Sequence, residues 1–209
     1  MIELFVSALV TFFVVIDPPG CAPIFASLTA GASAAHRRAM AIRSVAIGSG
    51  ILLFFGLLGE DLLRALGVGL PAFRIAGGIM LFLIALEMVF EKRQARRESR
   101  ANEVNATPEI EDISVFPMAI PMIAGPGSIA SIMLLMARSN GLEESLTVLA
   151  ALAAILVLTL IALLAAGPLM RLLGHKLEAM ITRVLGVILG ALAAQFVIDG
   201  ISAAFAIPV

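Results

Sequence analysis

The chain has 209 residues, of which 61% are hydrophobic and 14% are charged, and its formal net charge is -1. With a mean hydropathy of +1.08, it carries too little polar material to cover a core, which excludes an ordinary soluble domain. Its single cysteine, Cys21, excludes an intramolecular disulfide framework and a cysteine-based zinc site.

Long apolar runs follow one another along the chain, and each is close to the ~20 residues that cross a hydrocarbon core of about 30 Å. They predict six transmembrane helices, at 2–30, 41–60, 69–90, 114–136, 145–166 and 179–207. The first and fourth runs carry Pro and Gly in their middle, so both are predicted to be helices broken at membrane depth. The expected fold is an all-α membrane protein whose solvent is the lipid bilayer.

The basic residues are distributed unevenly between the loops, and this predicts the orientation of the helices. Most of the 14 Lys and Arg residues lie in the loops after the first, third and fifth helices. Only Arg64, Arg74 and Arg138 lie on the other side. Both termini are therefore predicted to lie outside the cytoplasm. Treating the broken segments as re-entrant hairpins gives a weaker asymmetry, so full spans are favoured.

The two halves of the chain resemble each other. Pro19-Gly20 matches Pro126-Gly127, and residues 64–67 (RALG) match residues 171–174 (RLLG) at the same spacing. Each match falls where the corresponding helix begins or ends. Since three helices per copy is an odd number, the second copy must cross the bilayer in the opposite direction. Inverted repeats of this kind are typical of secondary transporters, whose sites lie where broken helices meet near the midplane.

The repeats divide the chain into three parts. Residues 1–90 form the first three-helix repeat, and residues 114–209 form the second, inverted one. Between them, residues 91–113 are first basic and then acidic, which is typical of a solvated cytoplasmic linker.

The first break contains Asp17, the only acid near the middle of a predicted span, followed by Pro18, Pro19, Gly20 and Cys21. An ionised carboxylate at that depth is costly and is a functional hypothesis by default. Asp followed by Pro is also a good helix start, so Asp17 is either the N-cap of the second half-helix or a contact for a ligand or ion. The two roles are compatible.

The second break contains Gly125, Pro126, Gly127 and Ser128, and its glycines allow the backbone to approach a ligand closely. The amino end of a half-helix offers unpaired N–H groups that favour anions. No acid competes for this end, so a substrate carboxylate is expected there. Asp17 would then face a substrate ammonium group or a coupling cation.

Both breaks also carry a family resemblance. Residues 17–25 (DPPGCAPIF) resemble the signature D-P-x-G-N-x-P-I-F of the MarC family of integral membrane proteins. Residues 117–127 (PMAIPMIAGPG) resemble that family's second signature, P-x-A-I-P-x-x-A-G-P-G. The resemblance implies a bacterial or archaeal inner-membrane protein of a family that is grouped with the LysE-type exporters. It also implies transport, since some members of the family are described as transporters of small neutral amino acids such as glycine and alanine. Cys21 stands where the family usually has Asn.

The leading hypothesis is a secondary carrier for small neutral amino acids, with Na⁺ or H⁺ as the coupling ion and no other cofactor or metal. The predicted substrate-binding residues are Asp17, Gly20, Cys21, Gly125, Gly127 and Ser128. The alternative is a regulatory or assembly membrane protein that transports nothing. An enzyme is not expected, because His36 and His175 lie in predicted loops and no HExxH pair exists. No nucleic-acid partner is expected, and a homo-oligomer stays open.

Several other residues in the spans have structural interpretations. Glu87 and Gln195 fall at matching depth in the third helix of each repeat; Glu87 is predicted to extend to the interface, and Gln195 to hydrogen-bond across helices. Asp199 lies toward the outer end of the sixth helix. Gly186 and Gly190 belong to a small-residue stripe with Ala194, for which packing within the protomer is favoured over a dimer contact.

Overall fold

The computed structural model describes residues 1–105 and 112–205, apart from the side chains of residues 94, 100, 103–105 and 168–179. Helices, and no strands, make up the regular structure of these residues. The helices are α1 (Ile2–Ile16), α2 (Pro18–Leu28), α3 (Ala34–Ala65), α4 (Leu70–Val89), α5 (Lys92–Asn105), α6 (Pro126–Met136), α7 (Leu142–Leu164) and α8 (Ala166–Phe205). A kinked segment, Ser114–Ile123, precedes α6.

The described helices confirm five of the six predicted membrane spans. Five stretches are long and apolar enough to cross a bilayer: α1 with α2, α3, α4, α7 and the part of α8 from Met180 to Phe205. A sixth arises if the kinked segment and α6, which meet at a bend of 51°, form one broken span. The described part of the chain is therefore an all-helical membrane protein with five to six candidate spans.

The helices are arranged so that α6 lies at the centre. Nearly all of its side chains are buried, including Ile132 and Leu134. Large apolar side chains on α3, α4 and α8 point outward instead, among them Leu57, Ile79 and Val187. Large apolar side chains can be exposed on the outer surface when lipid rather than water surrounds the protein.

The first span is interrupted at Asp17. This residue has φ 59° and ψ 66°, the left-handed conformation that ends α1, and α2 begins directly afterwards with Pro18 at its first position. A proline fits the first turn of a helix, where its missing N–H is not needed. The sequence thus ends one helix and starts the next within a single residue.

The second broken span has a different backbone. Within the kinked segment, Phe116 and Ile120 adopt extended dihedral angles, and each precedes a proline through a cis peptide bond. The Ala124 N–H donates to the Ala119 carbonyl at 2.8 Å, a hydrogen bond across five residues. The chain then straightens at Gly125, and α6 begins at Pro126.

Helices α4 and α8 pack antiparallel with their backbones in close contact. A Cβ atom built on Gly78 would lie 2.9 Å from the Ala193 carbonyl oxygen and 2.7 Å from Val197 Cγ2. A Cβ atom built on Gly186 would lie 3.1 Å from the Ala85 carbonyl oxygen and 3.0 Å from Val89 Cγ2. Each glycine therefore meets an alanine carbonyl and, four residues further along the other helix, a valine side chain.

This close approach gives a first prediction. Gly78→Ala and Gly186→Ala are each expected to destabilise the protein by about 1–3 kcal/mol, because a backbone carbonyl must move to make room for the new methyl group. Gly190→Ala is the matched control, since its Cβ would be 3.7 Å from Ala85 Cβ, an ordinary contact. Melting midpoints in detergent provide the comparison. Equal stability of all three variants would contradict the predicted contact.

The same contacts bear on the small-residue stripe. Gly186 and Gly190 face α4 inside the protomer, whereas Ala194 is exposed. The favoured interpretation, packing within the protomer, is confirmed for the two glycines.

The linker contains a helix that packs against the spans. Residues 92–105 form α5, which contacts α2 and α4 and buries Ala101. One face of this half of the linker therefore packs against the spans, while most of its described side chains are exposed. Residues 106–111 lie outside the described part of the chain.

A polar cluster lies at the end of the helix bundle that is remote from α5. Arg138, just after α6, pairs with Asp199 of α8 and lies 5.2 Å from the centre of the Phe196 ring. Arg74 donates to the Ala137 carbonyl at 3.2 Å. Gln195 donates to Asp199 at 2.7 Å within its own helix, so its predicted bond across helices is wrong. The cluster joins the ends of α4, α6 and α8.

Candidate functional site

The break at Asp17 leaves three backbone carbonyls without helical partners. In an unbroken helix, the carbonyls of Val14, Val15 and Ile16 would accept from the N–H groups four residues later. Two of those positions are Pro18 and Pro19, which have no N–H group. The third N–H belongs to residue 20, and it donates to the Asp17 side chain instead. Such carbonyls must find other donors, because lipid offers none.

Two arginines of α5 supply these donors. Arg93 donates to the carbonyls of Val15, at 2.5 Å, and Val14, at 3.5 Å. Arg97 donates to the Ile16 carbonyl at 3.5 Å. Guanidinium groups suit this place because the carboxyl end of a helix carries partial negative charge. Arg93 and Arg97 thus complete the broken end of α1.

Asp17 forms a buried ion pair with one of these arginines. The Arg97 Nη1 atom lies 2.8 Å from Asp17 Oδ2, and the two side chains are 10% and 2% exposed. The other carboxylate oxygen, Oδ1, accepts from the Gly20 N–H at 3.1 Å. Asp17 is therefore the N-cap of α2, and Arg97 occupies the side where a substrate ammonium or a coupling cation was expected.

The small residues after Asp17 are fitted to this ion pair. A Cβ atom on Gly20 would lie 2.3 Å from Asp17 Oδ2 and 2.9 Å from Arg97 Nη1, so a side chain there would displace the pair. The Cys21 thiol is fully buried and donates to the Ile16 carbonyl at 3.4 Å. Both residues support the first break rather than presenting groups to a ligand.

The amino end of α6 is arranged in the opposite way. Its N-cap residue, Gly125, provides no side-chain cap, and Pro126 occupies the first position. The N–H groups of Gly127 and Ser128 lie in the first turn, where helices have no internal acceptors. A Cβ atom on Gly127 would lie 2.5 Å from Ile84 and 3.1 Å from Val15, so only glycine allows this turn to approach the end of α1.

A cavity of about 360 Å³ lies between the two breaks. Its walls come from the end of α1, from α4, from α5 and from the second break. The lining residues are Val15, Met80, Leu83, Ile84, Glu87, Arg93, Arg96, Arg97, Pro117, Pro121, Met122, Gly125, Pro126, Gly127 and Ser128. Its volume is at the small end of the range for ligand sites in proteins, about 300–1,000 Å³.

The structure divides the six predicted site residues into two groups. Gly125, Gly127 and Ser128 line the cavity. Asp17, Gly20 and Cys21 lie behind Arg97 and Arg93 and do not line it. The first break thus shapes the cavity through the arginines that complete it, and the second break faces the cavity directly.

The charges on the cavity wall come mainly from residues that the sequence analysis did not select. Arg96 pairs with Glu87 at 2.6 Å. Burial, and then repulsion from Arg97, lower the pKa of Arg93 to about 10, so its guanidinium group is charged at neutral pH. The spacing of Arg93 and Arg97 was the available signal, because residues four apart share one face of a helix.

Comparison with known proteins identifies the family to which the chain belongs. A model described as "MarC family integral membrane protein" matches residues 2–205. The chain belongs to this family.

The relatives of this MarC-family protein come from both bacteria and archaea. A UPF0056 membrane protein of Methanocaldococcus jannaschii is 36% identical, covering 97% of this chain and 98% of its own. UPF0056 membrane protein YvbG of Bacillus subtilis is 33% identical, covering 98% and 97%. UPF0056 inner membrane protein YhgN of Escherichia coli is 34% identical, covering 94% and 95%. No solved structure matches the chain.

The match extends over both breaks and all the helices described above. The family resemblance found in the two proline-rich strings is therefore confirmed. The names of the relatives describe membrane proteins and assign them no enzymatic activity.

Proposed function

We propose that this protein is a secondary carrier for small neutral amino acids of the glycine and alanine class, coupled to Na⁺ or H⁺. The observation that carries the proposal is the cavity, which has the uncapped amino end of α6 on its wall and opens between two interrupted spans. Irregular backbone inside a membrane protein is tolerated where it lines such a cavity. Broken helices around a central site are typical of secondary transporters.

The carboxylate of the substrate binds at the second break. The N–H groups of Gly127 and Ser128 and the partial positive charge of the helix end favour an anionic group there. The Ser128 hydroxyl adds a donor, since Ser128 lies on the cavity wall. A volume of about 360 Å³ suits a small substrate.

Two inverted three-helix repeats are part of the same proposal. The contacts of Gly78 with Ala193 and Val197 correspond, at the repeat spacing, to the contacts of Gly186 with Ala85 and Val89. The second half-helices, α2 and α6, are each 11 residues long. Both observations support a pseudo-two-fold relation between the halves, on which movement of one repeat against the other would give alternating access.

The proposed location is the cytoplasmic membrane of a bacterium or archaeon, with both termini outside the cytoplasm. The loop distribution of Lys and Arg supports this orientation, and the Escherichia coli relative is named as an inner membrane protein.

A pair of serine variants probes the carboxylate site. Ser128→Ala is expected to raise the Kd for alanine about three- to tenfold, the loss that corresponds to one hydrogen bond. Ser131→Ala is the matched control: Ser131 lies one turn later on α6, is fully buried with an unpaired hydroxyl, and does not line the cavity. Its Kd should be unchanged. Equal Kd values for the two variants would contradict the proposed position of the carboxylate.

Transport itself is tested with purified protein in proteoliposomes. Labelled alanine and glycine should accumulate when a Na⁺ or H⁺ gradient is imposed, and accumulation should stop when the gradient is dissipated. Vesicles that contain protein but accumulate neither amino acid, under either gradient and in either direction, would favour the alternative of a regulatory or assembly protein.

A further inference from the structure

The cavity has a second polar feature, a glutamate on the α4 wall. Glu87 is the only carboxylate among the residues that line the cavity in the described part of the chain. Its side chain is 25% exposed and pairs with Arg96 of α5, which is 60% exposed, at 2.6 Å. The other acid of this region, Asp17, has both oxygens engaged and lies behind Arg97.

The three arginines that line the cavity differ in their hydrogen-bond and ion-pair partners. Arg93 donates to carbonyls of α1, and Arg97 is bound to both Asp17 and α1. Removing either would leave buried groups unpaired, which is costly. Arg96 forms its ion pair with Glu87 and is largely exposed. Because water can solvate the exposed guanidinium group once it leaves Glu87, another cation can replace Arg96 at small cost.

We propose that Glu87 binds the ammonium group of the substrate, in exchange for Arg96, and so selects amino acids over simple carboxylates. This inference rests on the proposed function, because it assigns the second end of a substrate whose carboxylate is bound at Gly127 and Ser128. The cavity then presents a negative group on α4 and a positive helix end on α6. A zwitterion matches both, while a monocarboxylate leaves Glu87 with Arg96.

The two partners of the ion pair are predicted to act in opposite directions. Glu87→Gln removes the charge that faces the ammonium group and should weaken alanine binding about 10- to 100-fold. Arg96→Gln removes the competing internal cation and should tighten alanine binding about two- to fivefold. A merely structural ion pair would give changes of the same sign in both variants.

The experiment measures binding of alanine and propionate to detergent-purified protein. Propionate has the carbon chain of alanine without the amino group, so it should bind equally to wild type and to Glu87→Gln. Glu91→Gln is the matched control, because Glu91 follows one turn later, pairs with Arg183 at 2.5 Å, and does not line the cavity. It should bind both compounds as wild type does.

The possible outcomes distinguish a failure of the proposed role of Glu87 from a failure of the proposed carrier function. Unchanged alanine binding in Glu87→Gln, or parallel weakening in Glu87→Gln and Arg96→Gln, would overturn the role of Glu87 while leaving a carrier. Wild type that binds propionate more tightly than alanine would also overturn it, in favour of a small organic anion. Wild type that binds and transports neither compound would overturn the proposed function and this inference together. Melting curves of each variant establish that it is folded.

Discussion

Replacing Arg97 with alanine is expected to destabilise the protein by about 3–5 kcal/mol, because an ionised Asp17 would be left buried without its partner. The Asp17 side chain is 2% exposed, so water cannot take the place of the guanidinium group. The Ile16 carbonyl would lose a donor at the same time. The measurement is the unfolding midpoint in detergent, supported by the yield of monodisperse protein.

A second variant separates the ion pair from the loss of packing. Asn at position 17 keeps an acceptor for the Gly20 N–H and removes the charge, so the double variant Asp17→Asn, Arg97→Ala should recover about 1–3 kcal/mol relative to Arg97→Ala alone. Arg43→Ala is the control, since Arg43 pairs with Asp112 at 2.6 Å with both side chains exposed. It should cost at most about 1 kcal/mol. Equal losses for Arg97→Ala and Arg43→Ala would contradict a buried pair.

Gly125→Ala is expected to abolish most transport, at least tenfold below wild type, and to cost about 1–3 kcal/mol of stability. Its backbone has φ -81°, which any residue adopts, so the reason is space. A Cβ atom there would lie 2.4 Å from the carbonyl oxygen of Pro121. That oxygen belongs to the backbone of the kinked segment, so relief of the contact must shift the cavity wall relative to α6.

The matched control is a glycine with free space around it. Gly50 lies within α3, and nothing lies within 4 Å of a Cβ atom built on it. Gly50→Ala should transport as wild type does and should gain slightly in stability from better helix propensity. If Gly125→Ala transports as well as Gly50→Ala, the second break does not need the geometry described above. Initial rates of alanine uptake, corrected for the amount of protein reconstituted, provide the comparison.

The sequence predicted the spans and the positions of both breaks well, because each depends on local chemistry. Apolar runs of sufficient length identify helices in a bilayer, and proline removes helical hydrogen bonds wherever it stands. The same local chemistry predicted an uncapped amino end at Gly127 and Ser128, since no acid precedes it. These features need no knowledge of how the helices pack.

The partners across the breaks depended on packing and could not be predicted in the same way. The number of carbonyls left open before Pro18 and Pro19 was available from the sequence, but their donors were not. Arg93 and Arg97 stand in a run of charges that is typical of a solvated helix. Glu87 was placed at the interface by its depth alone, since depth does not specify which neighbour a helix face meets.

Helix α5 also has a mechanical consequence. It begins three residues after α4 ends. Arg93 of α5 donates to a carbonyl at the end of α1, and Arg97 pairs with Asp17 at the break. We therefore expect the end of α4, helix α5 and the end of α1 to move together, because these contacts join them. Among the described residues, no connecting helix binds the second break through arginines in this way.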